Sequence, residues 1–198
     1  MTDTVIIDSG GANLASLLFA FERLGARAHV SNREAEIRSA ARVILPGVGA
    51  AADAMNRLHD SGVATILPTL KQPVLGICLG MQLLFKHSEE GSTECLGIVP
   101  EPVRRLKAAP GLPVPHMGWN QLARVKDDPI LDGIGPDDYV YFVHSYAAAV
   151  SAVTLATTDY GVALSAVVRK DNFWGAQFHP ERSAATGARL LANFLRLK

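Results

Sequence analysis

The chain has 198 residues, 48% of them hydrophobic, with 19 acidic and 19 basic side chains that cancel. That is enough to bury a core within one domain spanning residues 1–198. Balanced charge without a long basic run excludes nucleic acid as the main partner, and no leader or bilayer-length apolar segment is present, so a soluble cytoplasmic protein with no membrane role is expected.

The elements read in chain order as short apolar strands alternating with helical patterns, which implies an α/β protein with a largely parallel sheet. Thr4 to Asp8 predicts a strand. After the turn Ser9-Gly10-Gly11-Ala12, Asn13 is placed to cap a helix carrying Leu14, Leu17, Leu18, Phe21 and Leu24, which Gly25 ends. Val43 to Leu45 and Val74 to Ile77 are uniformly apolar and read as central strands covered by helices on both faces. Beyond about Gly91, prolines and runs at Tyr139 to Tyr146, Val153 to Thr158, Ala166 to Arg169 and Phe173 to Gln177 predict a mixed or antiparallel extension. A last helix follows Ser183, with Leu190, Leu191, Phe194 and Leu195 as its apolar stripe. The fold class is therefore an open, mostly parallel twisted sheet with helices on both faces and an antiparallel extension.

Gly76-x-Cys78-x-Gly80 lies where a strand ends at Ile77 and helix formers resume by Met81. This is the pattern of a nucleophile elbow, whose flanking glycines avoid β-carbon clashes with the neighbouring strand and helix. A cysteine there favours the thiolate, and the Leu79 amide is free to hold an oxyanion. The chain's other cysteine, Cys95, has no such setting and reads as structural, and two cysteines make no disulfide framework. Of six histidines, His179 alone ends a strand, and Pro180 biases it towards an extended conformation at the sheet's C-terminal edge. Glu181 is the carboxylate that would orient its ring, completing a Cys78–His179–Glu181 triad. Pro46-Gly47-Val48-Gly49 forms a loop whose backbone could complete an oxyanion hole. It also spells G-x-G-x-x-A through Ala52, but it follows the wrong strand and lacks the acidic residue about twenty positions on, so no nucleotide cofactor is expected. No zinc-binding spacing occurs, so no metal is expected either.

The elbow, the glycine loop and the late His-Pro-Glu together resemble the class I glutamine amidotransferases over nearly the whole chain. PGVGA at 46–50, GICLGMQLLF at 76–85 and QFHPERS at 177–183 carry the class. HMGWN at 116–120 and FVHSY at 142–146 carry a narrower resemblance, to the branch whose glutaminase serves a (β/α)8-barrel cyclase. The resemblance implies a substrate, glutamine, and a partner, a barrel cyclase that completes a heterodimer. It implies that Gln82 and Glu90 hold the amino-acid part of glutamine, helped by backbone at Ser145 and Tyr146. His116 and His144 are assigned to shaping the site or interface. Ser9 and Arg182 depart from the usual tyrosine and lysine, and neither is expected to touch the chemistry. Three other readings remain open: a glutaminase serving another synthase, a cysteine α/β-hydrolase using Asp159 or Asp171 in place of Glu181, and a non-catalytic interaction module.

Overall fold

The computed structural model describes residues 4–10 and 14–197. The N-terminal part contains β1 (Thr4–Ile6), α1 (Leu14–Arg23), β2 (Ala28–Val30), α2 (Glu34–Ser39), β3 (Arg42–Leu45), α3 (Ala51–Asp60), α4 (Val63–Ile66), β4 (Val74–Ile77) and α5 (Leu79–Leu83). Then come β5 (Phe85–Ser88), β6 (Thr93–Glu94), β7 (Val99–Arg105), β8 (His116–Gln121), β9 (Ala123–Arg124), β10 (Tyr139–His144) and β11 (Tyr146–Ala148). The last elements are β12 (Thr154–Asp159), β13 (Ala163–Lys170), β14 (Phe173–Ala176) and α6 (Ala184–Phe194).

Among the described residues, eight strands form one sheet in the order β2-β1-β3-β4-β14-β13-β12-β9. The first five run parallel, and the last three continue antiparallel, as the sequence predicts. The apolar side chains on both faces of β1, β3 and β4 have a direct cause. Side chains alternate across a strand, so each strand feeds two cores. Ile6, Ile44 and Leu75 pack with Leu17 and Phe21 of α1 and Leu190, Leu191 and Phe194 of α6. Val5, Val43, Leu45 and Val74 pack on the other face with Ile37 of α2, Met55 and Leu58 of α3, and Leu79 and Leu83 of α5. Gly25, at φ 67°, follows α1 as expected. The proposed cap Asn13 and the turn residues Gly11 and Ala12 lie outside the described residues.

Several boundaries differ from those expected, β13 for example starting at Ala163 rather than Ala166, and three differences bear on the site. β1 ends at Ile6 rather than Asp8. α5 begins at Leu79, directly after Cys78, and runs only to Leu83. The strand expected over Tyr139 to Tyr146 is two strands: β10 pairs antiparallel with β8 up to His144↔His116, and β11 pairs with β7. Between them, the Ser145 carbonyl accepts a hydrogen bond from the Leu106 amide at 2.9 Å. The chain changes sheets at Ser145. No helix among the described residues is long and apolar enough to cross a membrane.

β3, β4 and β14 end on one edge, in register Leu45↔Gly76 and Ala176↔Ile77. The turn between β4 and α5 is pressed against that edge. A β-carbon on Gly76 would lie 2.6 Å from the Gly80 carbonyl oxygen, and one on Gly80 would lie 1.8 Å from the Leu45 carbonyl oxygen. Both obstacles are backbone, so neither yields by a rotamer change. Gly80→Ala is therefore expected to destabilise the fold by about 3 kcal/mol or more, as severe overpacking does. Gly135→Ala, where a β-carbon meets open space, should stay within about 0.5 kcal/mol of the parent. Denaturant midpoints of the two variants test this; similar midpoints would contradict it.

Candidate active site

Cys78 occupies the tip of the elbow at φ 52° and ψ −110°, a backbone conformation that costs a residue with a side chain about 1–3 kcal/mol. Its amide donates to the Ala176 carbonyl at 2.8 Å, fixing the elbow to the end of β14. Its Sγ lies 3.8 Å from the Val143 carbonyl oxygen and 4.0 Å from Gln177 Nε2. Leu79 is the first residue of α5, so its amide lies outside the intrahelical hydrogen-bond ladder.

His179 follows β14 in extended conformation, φ −97° and ψ 97°, and opens the short turn Pro180–Arg182. Its amide donates to Tyr141 O at 2.9 Å. Ser183 Oγ donates to the His179 carbonyl at 2.7 Å and accepts from the Tyr141 amide at 2.9 Å. These bonds lock the His-Pro-Glu turn against β10. Nδ1 lies 2.8 Å from Glu181 Oε1, with both side chains buried. Burial alone would oppose a charged ring, but interaction with Cys78 and Glu181 outweighs it and raises the His179 pKa to about 10. Nε2 is buried and has no hydrogen-bond partner. A thiolate beside this imidazolium can attack a carbonyl carbon, and Nε2 can pass a proton to a leaving group.

The glycine loop is tethered at both ends. Ser9 Oγ donates to the Pro46 carbonyl at 2.7 Å, and Glu90 Oε2 accepts from the Ala51 amide, the first of α3, at 2.8 Å. Between the tethers, Val48 and Gly49 line the cavity, with Gly49 at φ 87°. Gly47 sits behind them, where a β-carbon would come within 2.9 Å of Leu79 Cβ. Ser9, which was not expected to touch the chemistry, has a supporting contact instead. Its hydroxyl is fully buried and anchors the loop. Arg182 lies at the surface, its guanidinium 5.8 Å from the Tyr141 ring centre.

One cavity of about 320 Å3 collects these groups, lined by Val48, Gly49, Cys78, Leu79, Gln82 and Glu90 and, opposite them, Val143 to Tyr146 and His179. Every substrate residue expected from the sequence lines it: Gln82, Glu90, Ser145 and Tyr146. Gln82 Nε2 donates to Tyr146 O at 2.8 Å and to Gln177 Oε1 at 3.1 Å, which leaves Oε1 as the atom suited to accept from an ammonium group. The sequence reading missed Gln177, which touches both Gln82 and Cys78 Sγ. It also missed Pro115 and Val143 in the cavity wall. Gln177 was legible only as the neighbour of the His-Pro-Glu run. Burial and the adjacent Glu94 push the Cys95 thiol up to about 11, as befits a structural cysteine. Neither Asp159 nor Asp171 approaches His179: Asp159 Oδ1 accepts from the Gly161 amide, and Asp171 Oδ2 faces Lys170. Among the described residues, no cluster of three or more His, Cys, Asp or Glu could hold a metal ion.

An elbow cysteine, a histidine paired with a carboxylate and a glycine loop thus lie together around one cavity. Residues 5–197 match the family described as glutamine amidotransferase class-I, and the chain belongs to that family. It is 54% identical over 197 residues to "Imidazole glycerol phosphate synthase subunit HisH" of Xanthomonas euvesicatoria pv. vesicatoria, covering 100% of this chain and 98% of that protein. It is 50% identical to the protein of the same description from Xylella fastidiosa strain Temecula1, with the same coverage. Among solved structures, PurLQS from Thermotoga maritima superposes with a TM-score of 0.73 at 18% identity, covering 98% of each chain. A glutamine amidotransferase from the same organism gives 0.65 at 17% identity, covering 98% of this chain and 82% of that one. These two likenesses concern the fold.

The His179 shift has a sign that can be checked. A histidine whose pKa rises from 6.5 to about 10 on folding adds stability in full below pH 6.5, and that contribution fades as pH rises towards 10. The stability difference between the parent and His179→Gln should therefore shrink steadily across this window in denaturant titrations. A difference independent of pH would contradict the ion pair.

Proposed function

We propose that the chain is the glutaminase subunit of imidazole glycerol phosphate synthase, hydrolysing glutamine and delivering ammonia to a (β/α)8-barrel cyclase subunit in histidine biosynthesis. The observation that carries the reading is the convergence of Cys78, His179 with Glu181 behind it, Val48 and Gly49 of the loop, and Gln82, Glu90, Ser145 and Tyr146 on one cavity. The full-length relatives point to this synthase rather than another. One domain over residues 1–198 carries the activity, in the cytoplasm, where free thiols such as Cys78 and Cys95 persist.

In this reading the Cys78 thiolate attacks the side-chain carbonyl carbon of glutamine. The oxyanion is held by the Leu79 N–H and the loop backbone. His179 protonates the departing ammonia, leaving a glutamyl thioester, and then activates the water that releases glutamate. Glu181 keeps the ring oriented. Gln82 and Glu90, with backbone at Ser145 and Tyr146, receive the amino-acid end.

Ammonia is useful only when handed on, so the barrel partner is expected to control the site. The outer face of the β8–β10 ribbon supports docking there. Met117 and Trp119 are 62% and 53% exposed, Tyr139 is exposed beside them, and Arg182 borders them over Tyr141. The switch is the Val48–Gly49 stretch, where a glycine at positive φ lets a peptide flip between presenting a carbonyl and an N–H. One missing oxyanion donor lowers the rate by about a hundred- to a thousandfold. The partner acts by binding the N–H form more tightly. Ammonia release should be slow for the chain alone, faster with the barrel partner, and fastest when that partner also holds its ribotide substrate. Cys78→Ala should abolish release in all three states, and His179→Ala should lower it by about a thousandfold. Equal turnover in the three states would overturn the switch, and an active Cys78→Ala would overturn the nucleophile.

A further inference from the structure

Two buried histidines beside the cavity have no part in that chemistry. His116 of β8 and His144 of β10 pair across the ribbon, and burial pushes both rings down to about 4. Their contacts admit one arrangement of protons. A carbonyl oxygen only accepts, so His144 Nδ1, 2.9 Å from Tyr146 O, must carry a hydrogen. Neutral His144 then offers a lone pair at Nε2, and His116 Nδ1, 3.1 Å away, is its donor. His116 Nε2 is left as an acceptor, and Asn120 Nδ2 approaches it at 3.4 Å while donating to Asp159 O at 2.8 Å. His116 is clamped between Phe142 and Tyr160, with ring centres 4.8 and 3.9 Å away. Along the two rings the donors therefore point one way, from Asn120 to the Tyr146 carbonyl.

That carbonyl is also where Gln82 Nε2 donates, at 2.8 Å, so His144 and Gln82 hold one oxygen between them. Both His144 nitrogens are consumed by protein contacts, although the residue lines the cavity. We propose that His144, oriented by His116 and Asn120, is a positioning residue that fixes the Tyr146 carbonyl and Gln82 for the amino-acid end of the substrate. The inference rests on the glutaminase reading above. Its neutrality also matters: His144 feels the charge of His179, and a second cation there would work against the imidazolium. The strand that carries this relay inward, through His116 and Asn120, turns Met117 and Trp119 outward. The pocket wall and the exposed ribbon face thus share one backbone.

The test separates positioning from general damage by using two reagents on the full-length chain. A glutamine-like diazoketone needs the amino-acid pocket, whereas iodoacetamide needs only an accessible thiol. His144→Leu should slow inactivation by the diazoketone about tenfold or more, the loss expected when buried polar groups are left unmatched, while iodoacetamide alkylation of Cys78 changes little. His144→Asn, which retains a donor near the place of Nδ1, should recover much of the diazoketone rate. Asn120→Ala should show the same selectivity more weakly, and it serves if His144→Leu does not fold. Equal slowing of both reagents, unchanged diazoketone labelling, or no recovery in His144→Asn would overturn the proposal. If the parent chain is not labelled at Cys78 by the diazoketone even with the barrel partner bound, the glutaminase reading fails instead.

Discussion

The close approach of the elbow to the end of β3 is the constraint on which the rest of the site depends. Glycine at position 80 lets α5, which starts immediately after Cys78, lie against the Leu45 carbonyl, where no β-carbon fits. The same contact brings the Pro46–Gly49 loop, which leaves Leu45, against Leu79. Cys78 and the expected oxyanion donors are thereby placed together by backbone packing rather than by flexible side chains. Such placement costs no reorganisation when charge develops. The strain at Cys78 is supported by β4 and β14, both buried throughout, and strained backbone persists only where its surroundings determine it.

Electrostatically, the site holds three histidines in two opposite states. His179 is kept charged by Cys78 and Glu181 despite its burial. His116 and His144 are kept neutral because burial meets no carboxylate among their hydrogen-bond partners, which are the Tyr146 carbonyl, the Asn120 amide and each other. Desolvation acts on all three, and a nearby negative charge decides the outcome. The charged ring suits proton transfer, and the neutral pair suits a fixed hydrogen-bond chain. One physical rule therefore divides the labour within a few side chains of the same cavity.

Much of this was legible in the sequence because steric demands leave marks on residue type. Gly76 and Gly80 announce the elbow, since only glycine tolerates those contacts. Pro180 and the strand before it announce where His179 stands, and uniform apolarity announces β3 and β4 as central strands. The sheet switch at Ser145 was not legible, because Tyr139 to Tyr146 reads as one unbroken β-prone run and the break is dictated by pairing partners in β7 and β8. Gln177 and Ser9 escaped for a similar reason. Gln177 meets Cys78 across 99 positions of sequence, and Ser9 meets Pro46 across 37. Neither residue type signals such a contact.

The central claim is that this packing makes Cys78, and not Cys95, the covalent centre for glutamine. The most direct measurement is mass spectrometry of the acid-quenched chain during turnover with isotopically labelled glutamine. The account predicts a labelled glutamyl thioester on the peptide containing Cys78, accumulating when water attack is slowed. Turnover with no adduct at Cys78, or an adduct at Cys95, would contradict it.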